Sequence, residues 1–276
     1  MHPFIAARVN GHYSWLGQGF MGILEKFKLN DRVALVTGGS QGLGKAMASA
    51  LAEAGTQLAI ASRTVDRTRS AARELEATYG TKSRGYACDI SSAEQVSALI
   101  AQVIAEFGHI DILINNAGIN LRGPIEELSL ETFRKVQDTN VTGVWLMCRE
   151  IASHMKSRRY GRVINIGSTL SVITMPERTP YATSKGAVLQ LTKTLALEWA
   201  SYGITVNAIL PGPFGTEMNR TLLDNPEAYQ SFVSRIPLGR WGELDEIGGL
   251  ALFLASDASS FVTGAGYLID GGWTCH

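Results

Sequence analysis

Residues 32–55 read RVALVTGGSQGLGKAMASALAEAG, and this stretch decides the fold. The apolar run at 33–36 predicts a buried strand, and the small and apolar residues after the glycines predict a helix. Gly38, Gly42 and Gly44 lie between the two in a G-x-x-x-G-x-G spacing. Glycines let the backbone turn tightly and approach a pyrophosphate, and a helix N-terminus offers free N–H groups. The stretch predicts a phosphate-binding loop, with a plain strand–helix turn as the alternative.

The rest of the chain repeats this alternation of strand and helix. Predicted strands span residues 33–36, 58–61, 84–87, 110–114, 162–166, 205–209 and 267–270, and predicted helices lie near 43–54, 65–79, 92–107, 130–157, 180–201 and 243–254. Several strands are continuous apolar runs, which are typical of a parallel sheet covered on both faces. Since no linker or repeat interrupts the pattern, we expect one α/β domain over residues 29–276, with a doubly wound, seven-stranded parallel sheet.

The bulk composition argues against several kinds of partner. The chain has 276 residues, with 25 Lys and Arg against 25 Asp and Glu. This balance gives no basic face for nucleic acid, and no run of about 18 apolar residues predicts a membrane span. Cys88, Cys148 and Cys275 are far apart and lack the spacing of metal ligands. Their small number favours a reduced, cytoplasmic protein with no metal site.

Residues 1–28 form an N-terminal extension ahead of the predicted domain. The first 20 residues, MHPFIAARVNGHYSWLGQGF, lack the apolar core and the cleavage site of a signal peptide. Met21 begins a sequence that resembles a natural start. Our hypothesis is that residues 1–20 are mis-assigned or accessory, and we expect the extension to be partly disordered.

A second stretch, TPYATSKGAVLQLTKTLALEWA at residues 179–200, carries a candidate catalytic pair. On a helix, Tyr181 and Lys185 lie one turn apart on the same face. A nearby cation stabilises phenolate and lowers the pKa of a phenol below its usual value of about 10. The competing interpretation is an ordinary tyrosine and an ordinary lysine, and this stretch alone does not separate the two.

Several motifs in order give the chain a resemblance to the short-chain dehydrogenase/reductase family along nearly its whole length. TGGSQGLG resembles the family's cofactor loop, NNAG at 115–118 the motif after its fourth strand, and YATSK its tyrosine–lysine pair. DTNVTG carries Asn140, NIGS carries Ser168, and PG at 211–212 follows the sixth strand. The resemblance implies a Rossmann fold and an NAD(P)-dependent transfer of hydride between cofactor and a ketone or secondary alcohol.

The resemblance also implies roles for individual residues. Tyr181 would be the general acid or base, and Lys185 would lower its pKa and hold the nicotinamide ribose. Ser168 would stabilise the substrate oxygen, and Asn140 would hold a water that relays protons to Lys185. Without the family pattern we favour a strand-end cap for Ser168 and a helix residue bonded to its own backbone for Asn140. The implied cofactor-binding residues are Gly38, Ser40, Gln41, Gly42, Leu43, Gly44, Ser62, Arg63, Asp89, Ile90, Asn116, Ala117, Gly118, Tyr181, Lys185, Pro211, Gly212 and Thr216.

The end of the second strand favours NADP over NAD, with NAD still possible. A ribose 2′-OH is usually held there by an acidic residue, whereas a 2′-phosphate is held by arginine. Ser62 occupies the acidic position and Arg63 follows it. Against NADP, Gln41 stands where many NADP-dependent members have a basic residue, and Asp66 is close by. Asp89 resembles the aspartate that binds the adenine amino group, with a helix N-cap as an equal alternative.

The substrate is less clearly marked. We expect pocket walls from residues 119–122, 169–178 and 213–235, with the last forming a mobile lid. The stretches GINLRGPIEEL and PLGRWGELDEI resemble gluconate 5-dehydrogenases and 3-oxoacyl-carrier-protein reductases. A small-molecule sugar acid or polyol is the first expectation, and a 3-oxoacyl thioester is the alternative. A non-catalytic nucleotide-binding regulator is the alternative from another class.

Assembly is also inferred from the resemblance. Family members form homotetramers through the two long helices near 130–157 and 180–201 and through the last strand. The tail GGWTCH could reach a neighbouring subunit's active site, which is a hypothesis of the sequence alone.

Overall fold

The computed structural model describes residues 6–9, 12–15, 22–216 and 225–275. A hairpin of two antiparallel strands, β1 and β2, lies in the N-terminal extension, and seven further strands form one sheet. The strands are β1 Ala6–Val9, β2 His12–Trp15, β3 Val33–Thr37, β4 Gln57–Ser62, β5 Ser83–Ala87, β6 Ile112–Asn115, β7 Gly161–Ile166, β8 Ile204–Pro211 and β9 Gly266–Ile269.

The large sheet is parallel throughout, in the order β5-β4-β3-β6-β7-β8-β9. The chain winds from β3 to one edge and then from β6 to the other, which is the doubly wound arrangement expected from the sequence. The helices are α1 Gly42–Glu53, α2 Val65–Tyr79, α3 Ala93–Phe107, α4 Leu130–Gln137, α5 Gly143–Arg158, α6 Thr179–Trp199, α7 Pro226–Val233 and α8 Glu246–Ala255. The fold prediction is confirmed, including helices on both faces.

The central strands bury both of their faces. Along β3, Val33 and Leu35 belong to the core shared with α3, α5 and α6, whereas Ala34 and Val36 belong to the core shared with α1, α2 and α8. Successive side chains of a strand point to opposite faces, so an uninterrupted apolar run is what a sheet covered twice requires. This explains why continuous rather than alternating apolar segments marked the strands.

The predicted helix near 130–157 is wrong in one respect, because it is not one continuous α-helix. A π-helical turn at Asp138–Thr142 separates α4 from α5. Gly143 follows directly, and a Cβ there would lie 2.7 Å from the Ile90 side chain. Asn140, within the wider turn, is fully buried.

The remaining predicted boundaries lie within three residues of those observed, with α8 showing the largest shift. Helix α7 falls inside the segment that the sequence assigned to a lid. No helix among the described residues is both long and apolar enough to cross a membrane. The division at residue 29 and the partial disorder of residues 1–28 stay predictions, and part of that segment lies outside the described residues.

Candidate active site

A cavity of about 420 Å³ opens at the carboxyl ends of the parallel strands. Its volume is in the range of small-molecule sites, and open α/β sheets bind ligands at this edge. The cavity brings together Ser168 and the whole set of cofactor residues predicted from the sequence: Gly38, Ser40, Gln41, Gly42, Leu43, Gly44, Ser62, Arg63, Asp89, Ile90, Asn116, Ala117, Gly118, Tyr181, Lys185, Pro211, Gly212 and Thr216. Of the predicted catalytic residues, Asn140 lies behind the wall.

The glycine loop needs glycine for two different reasons. Gly38 and Gly42 have positive φ angles of 64° and 53°, which most other residues avoid. A Cβ on Gly38 would lie 2.9 Å from the Ala117 Cα, and one on Gly44 would overlap both the Gly38 carbonyl and the Asn116 amide. The glycine loop is therefore packed tightly against the turn that follows β6.

Asn116 holds the glycine loop in place. Its Nδ2 donates to the carbonyl oxygens of Thr37 and Gly38, both at 3.1 Å. In return, the Thr37 hydroxyl accepts from the backbone N–H groups of Asn116 and Ala117 at 3.0 and 3.2 Å. Asn115 points the other way, into the core, where its Nδ2 donates to Asn165 of β7 at 2.9 Å. Within the NNAG motif, Asn116 thus holds the glycine loop, and Asn115 links β6 to β7.

Tyr181, Lys185 and Ser168 converge at the inner end of the cavity. Tyr181 and Lys185 lie on successive turns of α6, with the Lys185 Nζ 5.6 Å from the centre of the Tyr181 ring. Lys185 is buried and donates to the Ile166 carbonyl at 2.7 Å. Ser168 begins a short 3-10 turn, and its hydroxyl both accepts from the Leu170 N–H and shares a hydrogen bond with Tyr181.

Burial shifts the acidity of both α6 groups. It raises the pKa of Tyr181, and the hydrogen bond with Ser168 opposes that rise. Burial also lowers the pKa of Lys185 to about 8. The lowering of the Tyr181 pKa that we expected from Lys185 is not seen, because burial of the phenol raises the pKa and Ser168, rather than Lys185, opposes that rise. Tyr181 is protonated near neutral pH, and Lys185 changes charge close to it.

Asn140 acts on this cluster from the π-helical turn. Its Nδ2 donates to the Ile119 carbonyl at 2.9 Å and to the Ser184 hydroxyl at 3.0 Å, and its Oδ1 accepts from the Ile119 N–H at 2.8 Å. Ser184 in turn donates to the Tyr181 carbonyl at 2.7 Å. Both amide hydrogens are thus in use, and the side chain fixes the first turn of α6 against the loop after β6.

Two arginines lie at the outer end of the cavity. Arg63 follows β4, as predicted, and Arg67 on the first turn of α2 was missed by the sequence reasoning. The Arg67 Nη1 donates to the Gln41 Oε1 at 3.3 Å, and neither arginine forms a salt bridge with a described carboxylate. The available signal was position, since Arg67 lies on the first turn of the helix that begins directly after Arg63 and its loop.

Asp89 lines the cavity without capping the next helix. It accepts from the Ser91 hydroxyl at 2.7 Å and from the Ser91 N–H at 3.0 Å, and these bonds hold its pKa below the usual value. Ser92 is the N-cap of α3, where it accepts from the Gln95 N–H. The alternative of an Asp89 N-cap is therefore wrong.

Arg122 and Arg178 also line the cavity and lie close enough for the charge of one to act on the other. Arg122 is exposed, whereas Arg178 is half-buried. Burial, and then the neighbouring charge of Arg122, lower the pKa of Arg178. The loops that carry them are joined by a hydrogen bond from the Gly123 N–H to the Glu177 carbonyl at 3.1 Å. No carboxylate among the described residues forms a salt bridge with either guanidinium.

Aromatic residues complete this wall. Phe232 lies within the predicted 213–235 segment, but Trp241 and Trp273 were not assigned to this cavity from the sequence. The rings of Phe232 and Trp273 are 5.1 Å apart, and those of Phe232 and Trp241 are 5.9 Å apart. Trp273 thus lines the cavity of its own chain, where the sequence suggested a neighbour's. Only the folded chain brings these distant positions together.

Comparison with known proteins agrees with this geometry. A family model described as enoyl-(acyl carrier protein) reductase matches residues 38–274. The chain belongs to the short-chain dehydrogenase/reductase family. The motifs at the glycine loop, Asn116, Ser168 and the Tyr181–Lys185 pair therefore belong to a known family of NAD(P)-dependent oxidoreductases.

Three similar members of the short-chain dehydrogenase/reductase family act on related compounds. A 2-dehydro-3-deoxy-D-gluconate 5-dehydrogenase from Pseudoalteromonas atlantica is 42% identical, covering 91% of this chain and 99% of its own. A gluconate 5-dehydrogenase from Gluconobacter oxydans is 39% identical, covering 90% of this chain and 96% of its own. A crystal structure of a gluconate 5-dehydrogenase from Burkholderia cenocepacia contains NADP and tartrate. It has a TM-score of 0.89 and 40% sequence identity, covering 92% of this chain and 100% of its own.

Proposed function

We propose that this chain is an NADP(H)-preferring oxidoreductase that interconverts a ketone and a secondary alcohol on a sugar acid or polyol. The observation that carries the proposal is the convergence of Tyr181, Lys185 and Ser168 in the same cavity as the glycine loop. A proton donor, a cation and a hydroxyl at one end of a dinucleotide-sized groove are what carbonyl reduction requires.

The residues of the cavity fit a nicotinamide dinucleotide phosphate. Gly42 begins α1, where a Cβ would meet only the Thr216 side chain among the described residues, at 3.7 Å, and the Gln41 side chain makes no cap bond there. The free N–H groups would hold the pyrophosphate. Arg63 and Arg67 would pair with the 2′-phosphate, which suits guanidinium forks. When bound, the cofactor supplies the site of hydride transfer.

The remaining chemistry is assigned to side chains of this chain. Tyr181 would donate its phenolic proton to the carbonyl oxygen in reduction and accept a proton in oxidation. Lys185 would hold the ribose hydroxyls and place its charge beside the phenol, and Ser168 would donate a hydrogen bond to the developing alkoxide. Asn140 would position the Ile119 loop and the Tyr181 turn, and its water relay to Lys185 stays a prediction.

A carboxylate-bearing substrate is supported by Arg122 and Arg178. The Arg122 charge is close enough to lower the pKa of Arg178, so the two guanidinium groups repel, and an anion between them would relieve that repulsion. The relatives named for gluconate and its deoxy-keto derivative act on compounds with one carboxylate and several hydroxyls. We therefore assign a sugar acid ahead of an uncharged polyol.

The same arginines favour a second candidate, a 3-oxoacyl thioester delivered by an acidic carrier protein. Arg122 is exposed at the rim, where it could also contact such a carrier. A non-catalytic regulator has no observation in its favour, since Tyr181 and Lys185 are both in place.

We also propose a cytoplasmic homotetramer. Free cysteines at Cys88, Cys148 and Cys275 support a reducing compartment. Exposed apolar side chains support association: Trp145 on α5, Leu197 on α6, and Phe261 and Leu268 beside the sheet edge. Light scattering of the purified protein would measure its mass, and a monomer would contradict this assembly.

The function is tested by mixing the protein with NADPH or NADH and a panel of ketones. The panel contains 5-ketogluconate, simple sugars, diketones and an acetoacetyl thioester, and absorbance of the reduced nicotinamide reports turnover. We expect NADPH-dependent reduction of 5-ketogluconate. In Arg178→Gln, KM for 5-ketogluconate should rise and KM for an uncharged keto-sugar should not, while Arg73→Gln, on the exposed side of α2, serves as the control. Turnover of the thioester alone would favour the second candidate.

A further inference from the structure

Two polar atoms in the cavity wall are buried without a hydrogen-bond partner among the described residues. They are the indole Nε1 of Trp241 and the side-chain Oδ1 of Asn120. The other such atoms belong to residues that do not line the cavity: Thr56, Thr81, Asn115 and Thr205. A buried polar group without a partner destabilises a folded protein, so its presence at a ligand site calls for an explanation.

Trp241 is held rigidly in this position. Its side chain is only 5% exposed and packs at 5.3 Å from the Tyr229 ring and 5.9 Å from the Phe232 ring. The next residue, Gly242, donates its N–H to the Pro213 carbonyl at 3.0 Å, which ties Trp241 to the loop after β8. The indole therefore cannot turn to find a partner without disturbing this aromatic cluster.

Asn120 lies on a different loop of the cavity wall. The preceding residue, Ile119, has both its N–H and its carbonyl bonded to the Asn140 side chain. These two hydrogen bonds anchor the start of the loop after β6, and Asn120 is the next residue along it. Asn120 Oδ1 and Trp241 Nε1 thus come from two loops that are each tied to the rigid part of the fold.

The two atoms have complementary chemistry. An indole N–H can only donate a hydrogen bond, and an amide oxygen can only accept one. A hydroxyl group does both, so a ligand with several hydroxyls can satisfy the two atoms at once. The rings of Phe232 and Trp273 line the same cavity and offer apolar faces to the C–H groups of a carbon chain.

We propose that Trp241 and Asn120 bind substrate hydroxyl groups away from the reacting carbon and thereby select polyhydroxylated ketones and alcohols. The inference rests on the proposed function and deepens it, because it names the part of the substrate that the site recognises. A ketone of the same length without hydroxyls would leave both atoms unsatisfied, and sites built to bond a hydroxyl discriminate strongly against analogues that lack it.

The test compares two six-carbon keto acids that differ only in their hydroxyls, 5-ketogluconate and 5-oxohexanoate. Trp241→Phe removes the donor and keeps a ring, and Asn120→Ala removes the acceptor. Tyr202→Phe, which removes one hydroxyl from an aromatic ring outside the cavity, is the control. We expect each cavity variant to lose roughly tenfold in kcat/KM for 5-ketogluconate, as for one hydrogen bond, and to be unchanged for 5-oxohexanoate. The melting temperature of Trp241→Phe should fall, because the smaller ring leaves a gap beside Tyr229 and Phe232, but a stability loss alone would lower the rate on both keto acids equally.

Equal losses on both keto acids, or no loss on either, would overturn the inference. If the wild type reduces neither, the proposed function fails and a binding measurement still decides. The melting temperature with NADP would then be compared in D-threitol and in 1,4-butanediol. A threitol-specific rise that both cavity variants lose would support hydroxyl recognition, and its absence from the wild type would refute it.

Discussion

Replacing Gly44 by alanine should destabilise the protein and weaken cofactor binding together. Gly44 lies in the first turn of α1, where a Cβ would overlap the carbonyl of Gly38 and the amide of Asn116. The Gly38 carbonyl is backbone and cannot rotate away. The Asn116 amide can move only by giving up its bonds to Thr37 and Gly38. Either adjustment displaces the loop that faces the cavity.

The loss in the free energy of unfolding is the sum of two destabilising contributions and one stabilising contribution. Overpacking against fixed backbone costs about 1–3 kcal/mol. The two Asn116 hydrogen bonds contribute about 1 kcal/mol each and would be lost. Alanine gains up to about 1 kcal/mol over glycine in a helix. The net destabilisation is therefore about 2–4 kcal/mol, and the displaced loop should raise the Kd for NADPH by about tenfold or more.

Urea unfolding and a fluorescence titration with NADPH would measure the two effects. Gly249→Ala is the matched control, because Gly249 is exposed on α8 and a Cβ there would have no other atom within 4 Å. The control should gain about 0.5–1 kcal/mol from helix propensity and leave the Kd unchanged. A Gly44→Ala variant as stable as the wild type, with unaltered affinity, would refute the account of the loop.

Three further results are expected. The kcat/KM for ketone reduction should fall as pH rises above about 8, because Lys185 loses its charge there while the pKa of Tyr181 is raised. A pH–rate profile checks this. The Lys185→Arg variant stays charged, so its rate should be lower at every pH but should not decline above about pH 8. Arg67→Gln should weaken NADPH binding by about tenfold without affecting NADH, measured by calorimetry beside Arg73→Gln. Asp111→Ala should lower the free energy of unfolding by about 3 kcal/mol, because the buried Asp111 carboxylate pairs with Arg158, Arg32 and His109. The control Glu74→Gln, which breaks the exposed Lys45–Glu74 pair, should lower it by less than about 1 kcal/mol in the same urea unfolding experiment.

Much of the fold and the inner site could be predicted because their signals are local. The strand–glycine–helix order around Gly38 and Gly44 is contiguous, and Tyr181 and Lys185 lie one turn apart on a single helix. Apolar runs marked the strands because the sheet is covered twice. In each case the physical constraint acts over a few neighbouring residues, and the sequence shows it directly.

The parts that could not be predicted depend on long-range contacts or on helix geometry. Helical periodicity does not reveal a π-helical turn, although the β-branched run around Asn140 and Gly143 departs from good helix formers. Trp241 and Trp273 reach the cavity only after the loop past β8 and the C-terminal tail have folded. Burial reversed the expected acidity of Tyr181, and burial is a property of the packed structure rather than of one helix.

The most direct test of the central claim is the rate of NADPH-dependent 5-ketogluconate reduction by Tyr181→Phe. The phenylalanine keeps the ring and removes the phenolic hydroxyl, whose proton we assign to catalysis. We predict a loss of about 10²–10⁴-fold in kcat, as for removal of a general acid, with the Kd for NADPH raised by no more than about tenfold, as for one lost hydrogen bond. A variant that retains wild-type turnover while binding NADPH equally well would contradict the account.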